Sequence, residues 1–236
     1  FVTTCDTEVI LYGYMEYGME VAKKLNEIFA FAIWDGNRDT LFLCRDRLGV
    51  KPLFYAVKGD TLVFGSEPKA LFAHPQIHPE ADADSFREIF GVGPARTPGC
   101  GVFRGLQEVK PGCILSYSRQ RVKEAPYWTL EAKPHTDSYE QTVETVSWLL
   151  QDAVKRQLVS DVPVCSFLSG GIDSSVVTAI ASRQLGLEGL TLNTFSFDFT
   201  HNDTCFQSNA FQPTRDRPYV DQVLALYPLH HTYLEC

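Results

Sequence analysis

The chain has 236 residues, 44% hydrophobic and 21% charged, with a formal net charge of −8 at pH 7. That length and balance suit one large or two modest globular domains. The diffuse acidic surface, with no basic stripe, argues against a nucleic-acid partner, and no run approaches a membrane span or a secretory signal. The seven cysteines show no C-x-x-C pair and no metal-ligand spacing, which fits free thiols in a reducing cytosol. His230 and His231 are adjacent and would point to opposite faces of a strand, so they do not share a metal.

In chain order, Asp6 precedes an apolar helical face of Val9, Ile10, Leu11, Tyr14 and Tyr17 and is placed as its N-cap. A second helical piece over residues 19–25 leads to residues 29–35, whose large and small apolar residues alternate as in a strand packed on both faces. Residues 36–39 turn the chain, and residues 41–45 return as an antiparallel partner. Arg45-Asp46 reads as a salt-bridged strand end. A second hairpin runs over residues 53–57 and 62–65, with its turn at Gly59-Asp60. A helix is expected near residues 85–90. Short strands around Val109 and over residues 114–117 lie on either side of a turn at Pro111-Gly112. This half is antiparallel and sheet-rich.

Residues 132–137 form a short polar boundary. Ser138 and Gln141 then supply a capping box for a long helix with Val143, Val146, Leu150, Val154 and Leu158 on one face. Residues 162–168 read as a buried strand. Ser169-Gly170-Gly171-Ile172-Asp173-Ser174-Ser175 follows, and then a helical pattern of Val176, Val177, Ala179, Ile180, Ala181 and Leu185 closed by Gly186. Residues 192–197 give another strand, Asp216-Arg217-Pro218-Tyr219 opens a helix, and residues 231–234 give a third strand. Alternating strands and helices predict a parallel sheet with its ligand at the strand C-termini. Residues 199–213 are polar and irregular and read as a surface insertion.

A strand, a glycine turn and a helix N-terminus together make a phosphate-gripping geometry. The glycines let backbone N–H groups approach an anion, the unpaired amides at the helix start add a favourable dipole, and Ser169, Ser174 and Ser175 add hydroxyls. Asp173 would repel a phosphate unless a cation such as Mg²⁺ sat between them. No lysine follows the glycines, so this is not the Walker loop. The plain alternative is a Gly-Ser turn with Asp173 or Ser174 as N-cap.

Ser-Gly-Gly-x-Asp-Ser-Ser resembles the pyrophosphate loop of enzymes that split ATP between its α and β phosphates. Upstream, Cys5-Asp6-Thr7-Glu8-Val9-Ile10-Leu11, Phe29-Ala30-Phe31-Ala32, Arg45-Asp46-Arg47-Leu48-Gly49-Val50-Lys51-Pro52-Leu53 and Ser66-Glu67-Pro68-Lys69-Ala70-Leu71 follow in fixed order. Val109-Lys110-Pro111-Gly112 and Tyr127-Trp128 fit the crossing into a second domain. The set resembles the glutamine-dependent asparagine synthetases of the asparagine synthase B type.

That resemblance implies an α/β plus α+β chain. Residues 1–131 would be the C-terminal half of an antiparallel N-terminal-nucleophile glutaminase domain, and residues 132–236 the start of a parallel-sheet ATP-pyrophosphatase domain. It implies synthesis of asparagine from aspartate, ATP and glutamine through β-aspartyl-AMP, in the cytoplasm, with a homodimer as an option for the full-length protein. Asp6 would bind the α-amino group of glutamine, for which the plain reading is a helix cap. Phe167, Leu168, Ser169, Gly170, Gly171, Asp173 and Ser174 would surround ATP, with Ser169, Ser174 and Asp173 acting in catalysis and Asp173 holding Mg²⁺ through the pyrophosphate. Phe197 falls where the family places a small aliphatic residue against the adenine; its plain reading is strand core. A related amidotransferase or β-lactam-forming synthetase, or a non-catalytic nucleotide-binding module, are the alternatives.

The family's glutaminase uses an N-terminal cysteine, a downstream arginine and an Asn-Gly-Glu motif, none of which is written here. Cys5 follows Phe1 to Thr4 and has no free α-amine. With a start at Phe1 and an end at Cys236, the chain is expected to be a fragment without glutaminase activity of its own.

Overall fold

A computed structural model describes residues 1–210 and 213–235. Phe211 and Gln212, in the expected insertion, therefore lie outside the described residues. The chain forms two compact units, Phe1–Lys133 and Pro134–Cys236.

The first unit opens with α1 (Asp6–Tyr17), whose N-cap is Cys5 in extended backbone rather than Asp6. Asp6 is the first helical residue, so its side chain cannot reach back as a cap does. The upstream amides are held by Glu8 instead, which accepts from the N–H groups of Val2 and Thr3 at 2.7 Å each and from the Thr3 hydroxyl at 2.6 Å. These bonds, the Thr3 hydroxyl first, pull the Glu8 carboxyl below its ordinary range. A 3-10 turn (Gly18–Glu20) leads into α2 (Val21–Lys24).

β1 (Ala30–Asp35) and β2 (Thr40–Arg45) form an antiparallel hairpin with Ala30 opposite Arg45. β3 (Phe54–Lys58) and β4 (Thr61–Gly65) form the next. α3 (Pro68–Phe72) follows, then α4 (Ala83–Arg87) behind a capping box of Asp82 and Ser85, continued by a π-helical turn (Glu88–Val92). β5 (Leu106–Glu108), β6 (Cys113–Ser118) and β7 (Arg121–Pro126) complete the unit.

The strands make two sheets, ordered β1-β2-β6-β7 and β4-β3-β5. The two strands flanking Pro111-Gly112 thus belong to different sheets, because β5 pairs with β3 while β6 pairs with β2. Alternation along β3 explains the division of the core. Tyr55 joins Leu43, Leu53, Val109, Cys113 and Leu115 in one cluster, while Phe54 and Ala56 join Leu71, Ile77 and Leu106 in another.

A polar lock lies at the end of β2, at Arg45 and Asp46. The buried carboxylate of Asp46 accepts from the amides of Leu48, Val50 and Lys51 at 2.9–3.1 Å. The strand end is salt-bridged as expected, through Arg45 and Glu108. The Arg45 guanidinium donates to the carbonyls of Gly49, Lys51 and Val109 at 2.7–2.8 Å. It also lies 3.0 Å from Glu108 Oε1, an ion pair without hydrogen-bond alignment, and both side chains are 6% exposed.

In the second unit α5 (Tyr139–Gln157) starts at the expected capping box, with both reciprocal Ser138–Gln141 bonds formed. Then come β8 (Cys165–Phe167), α6 (Ile172–Leu187), β9 (Leu192–Asp198), α7 (Asn202–Cys205), α8 (Arg217–Leu226) and β10 (Leu229–Glu235). The sheet is parallel, ordered β10-β9-β8, with Phe167 opposite Phe195 and Leu229 opposite Leu192. Ala181, Leu185 and Leu192 form its core, covered by Val154 of α5 and Leu158 at its C-cap.

α6 does not stop at Gly186 but runs to Leu187, and the left-handed glycine that follows it is Gly189, at φ 74°. An interior glycine costs a helix only about 1 kcal/mol, which the burial of Leu185 offsets. His230 is exposed and His231 half-buried, as alternation requires. Among the described residues no helix is long and apolar enough to cross a membrane.

Candidate functional site

The C-terminal end of β8 passes directly into the loop Leu168-Ser169-Gly170-Gly171, and α6 begins at Ile172. Leu168 is anchored: its N–H donates to Phe195 O at 2.9 Å, its carbonyl accepts the Ser196 hydroxyl, and its side chain is 1% exposed. A second tie between strand and helix joins the hydroxyls of Ser166 and Thr178, 3.1 Å apart.

The loop is stitched by its own hydroxyls. Ser174 Oγ accepts from the Ser169 N–H at 3.2 Å, lies 3.0 Å from Ser169 Oγ and donates to Gly171 O at 3.2 Å. Only one of the two glycines needs to be glycine for its backbone. Gly170 has φ +76°, whereas Gly171, the N-cap of α6, has φ −69°. The tightest packing is also at Gly170, where an added Cβ would lie 2.7 Å from Tyr219 Cβ and 3.0 Å from both Asp216 O and Val220 N.

α6 has no side-chain cap, so Asp173 and Ser174 do not take the role that the plain reading gave them. Asp173 is the second helical residue, exposed, with no hydrogen-bond or ion-pair partner for its carboxylate among the described residues. The first-turn amides precede the intrahelical ladder and carry the positive end of a helix dipole sixteen residues long. This is an anion-binding arrangement.

Beside the loop lies a cleft of about 320 Å³, at the size expected of a small-ligand site. Phe167, Leu168, Ser169 and Phe197 line it, so the structure brings these expected residues together. Phe167 and Phe197 are each 65% exposed, with stacked rings whose centroids lie 6.3 Å apart. The strand-core reading of Phe197 is therefore not what the structure shows.

The cleft also has a wall that the sequence did not reveal. Phe199 and Asn202 line it, so part of the expected surface insertion faces the cleft, as do Asp198, Arg217 and Tyr233. Asp198 Oδ1 accepts from the Phe199 N–H at 2.9 Å and Asn202 Nδ2 at 2.7 Å, and its Oδ2 lies 3.4 Å from Arg217 Nη1. Burial would raise the Asp198 carboxyl, but the bonds from Asn202, Phe199 and Arg217 outweigh it and hold the carboxyl low. Burial first, and then donation to Asp221, pushes the Tyr233 phenol up. The signal that could have pointed to this wall is the Asp-Arg-Pro-Tyr helix start, which sits against Gly170.

Asp6 belongs to the first unit. It is exposed in the first turn of α1, where its Oδ1 accepts from the Thr7 hydroxyl at 3.3 Å and Cys5 Sγ at 3.6 Å.

Among the described residues no group of three or more His, Cys, Asp or Glu side chains gathers to hold a metal. A single exposed carboxylate next to an anion loop nevertheless suits Mg²⁺, which binds through one or two carboxylates together with substrate phosphates.

Two family models match successive parts of the chain. Residues 1–128 match a family described as a glutamine amidotransferase domain, and residues 145–236 match one described as asparagine synthase. The Bacillus subtilis protein "Asparagine synthetase [glutamine-hydrolyzing] 3" is 49% identical over 98% of this chain and 38% of its own length. "Amidase chyE" of Penicillium rubens is 36% identical over 87% of this chain and 30% of its own. This chain thus spans well under half of either relative. A solved glutamine phosphoribosylpyrophosphate amidotransferase from B. subtilis aligns with all of this chain and 55% of its own at 14% identity, with a TM-score of 0.39.

Proposed function

The chain belongs to the glutamine-dependent asparagine synthetase family, a glutamine amidotransferase domain continuing into an asparagine synthase domain, and from that we propose that the protein makes asparagine from aspartate, ATP and glutamine. Residues 1–131 are assigned to glutamine hydrolysis and residues 132–236 to activation of the acceptor. The observation that carries the reading is the Ser169–Ser174 loop. It joins a parallel strand to a long helix N-terminus, beside a cleft lined by two exposed aromatic rings.

In this reading the aspartate β-carboxylate attacks the α-phosphate of ATP, forming β-aspartyl-AMP and releasing pyrophosphate. Ammonia from glutamine then displaces AMP to give asparagine. The loop amides, with Ser169 and Ser174, receive the charge that builds on the departing pyrophosphate, where preorganised donors contribute most. Gly170 and Gly171 let the backbone approach, and Phe167 and Phe197 take the adenine face. Asp173 is the residue that would hold Mg²⁺, which supplies charge neutralisation on the leaving group. Asp6, a carboxylate in a helix first turn, pairs with the α-ammonium of glutamine. Cytoplasmic work fits the cysteines, since the six that the structure describes are all free thiols.

A second reading is amidation of a carboxylate other than that of aspartate, because the loop and cleft residues given a role are all assigned to ATP and leave the acceptor acid unassigned. Measuring pyrophosphate release with aspartate and with a panel of other carboxylic acids separates the two.

A further inference from the structure

We propose that Arg217 is a positioning residue for the nucleotide: it fixes the first turn of α8, which forms the back wall of the glycine loop. The proposal rests on the assignment of that loop to ATP.

Gly170 and the start of α8 leave no space between them for even one methyl group. A shift of α8 by about an ångström would therefore press on the loop or free it, because close-packed interiors transmit small displacements. Val220, 1% exposed, supplies the apolar anchor of α8. The polar anchor is Arg217. Its Nη1 lies 3.4 Å from Asp198 Oδ2, at the end of β9, and 3.7 Å from Glu235 Oε1, at the end of β10. Its guanidinium stands 4.1 Å over the ring of Tyr233, whose hydroxyl donates at 2.6 Å to Asp221 Oδ1, one turn further along α8.

One side chain thus ties α8 to the ends of two strands that border the cleft. Asp198 in turn holds Phe199 and Asn202 on the cleft wall. Two carboxylates neutralise the Arg217 charge, so it offers no free cation to a triphosphate. Its effect passes through α8 and Asp198.

Loosening α8 should act on the bound nucleotide through the cleft wall of Asp198, Phe199 and Asn202, and losing such uniform binding raises KM while sparing kcat. Initial rates of aspartate-dependent pyrophosphate release, measured against ATP concentration, test this together with thermal melts. Arg217→Met should raise the KM for ATP about 5- to 10-fold, the scale of one partly exposed ion pair plus one cation–π contact, with kcat within about 2-fold. Arg217→Lys should recover part of the loss.

Asp198→Asn should give a similar rise in KM, and the double variant should be no worse than the more affected single variant, as expected for two residues acting through one tie. An unchanged KM with only a lower melting point would make Arg217 structural and overturn the proposal, and so would additive effects of the two changes. Failure of the underlying assignment reads differently: Asp173→Asn would then leave pyrophosphate release intact, whatever Arg217 does.

Discussion

Gly170 and Tyr219 are packed so closely that the loop glycine is fixed by its neighbour as well as by its own backbone. An added Cβ would meet Tyr219 Cβ at 2.7 Å, and φ at Gly170 is +76°. Gly170→Ala should therefore lose about 1–2 kcal/mol to the left-handed backbone and about 1–3 kcal/mol to overlap. Gly171→Ala makes the comparison. Its φ is −69° and its added Cβ would meet only Ser169 Oγ at 3.5 Å, so only the poorer cap remains as a cost, about 1 kcal/mol or less. Chemical denaturation of both variants checks this, and equal losses would contradict it.

The turn and helix of the loop were legible in the sequence because their signals are contiguous, but the strand expected to be buried over residues 162–168 is only Cys165–Phe167 and largely exposed. Ser138 and Gln141 were legible for the same local reason. What escaped depends on partners far along the chain. Asp46 is bound by amides close behind it, but Arg45 pairs with Glu108, and Arg217 with Asp198 and Glu235. β7 escaped because Arg121, Lys123 and Glu124 disguise a strand that is exposed along most of its length. Asp6 reads as a cap in the sequence because an acidic residue in a first turn has nearly the same signature as one at the cap.

The lock around Arg45 makes a stability prediction. Arg45→Met leaves the Glu108 carboxylate buried, with Arg96, at 3.9 Å, the one ion-pair partner left among the described residues, and should cost about 3–5 kcal/mol. Adding Glu108→Leu removes the orphaned charge, so the double variant should be more stable than Arg45→Met alone. If the second change destabilises further, the ion pair is not what holds the lock.

Asp35 and Tyr14 predict a pH dependence. The Tyr14 hydroxyl donates to Asp35 Oδ2 at 2.6 Å, and this bond is the largest cause holding the Asp35 carboxyl below its usual value; partial desolvation opposes it. A depressed folded-state pKa gives stability that is fully present above the unfolded value, about 3.9, and is lost as pH falls through the folded value. Tyr14→Phe should therefore flatten the fall of Tm between about pH 5 and pH 2. Parallel Tm profiles for the two proteins would show that Tyr14 does not set the carboxyl.

For Asp6, the structure removes the capping role and leaves an exposed carboxylate in the first turn. In the full-length protein, Asp6→Asn should weaken glutamine-driven synthesis about 10-fold or more, the loss of a charge-assisted bond to an ammonium, while ammonia-driven synthesis survives. Thermal melts should change little. Equal loss with both nitrogen donors would assign Asp6 to folding.

The most direct test of the central claim is aspartate-dependent exchange of labelled pyrophosphate into ATP, measured for the protein with Asp173 and with Asp173→Asn. Asp173 is not the cap of α6, so the asparagine variant should lose only the favourable charge at the helix start, under about 1 kcal/mol. Exchange should require aspartate and should fall about 100-fold or more in Asp173→Asn, the scale of a lost electrostatic contact to the leaving group. Ser175→Ala, further into α6, should cost far less. Exchange that proceeds without aspartate would contradict the proposed acceptor, and full exchange by a folded Asp173→Asn protein would contradict the role given to the loop.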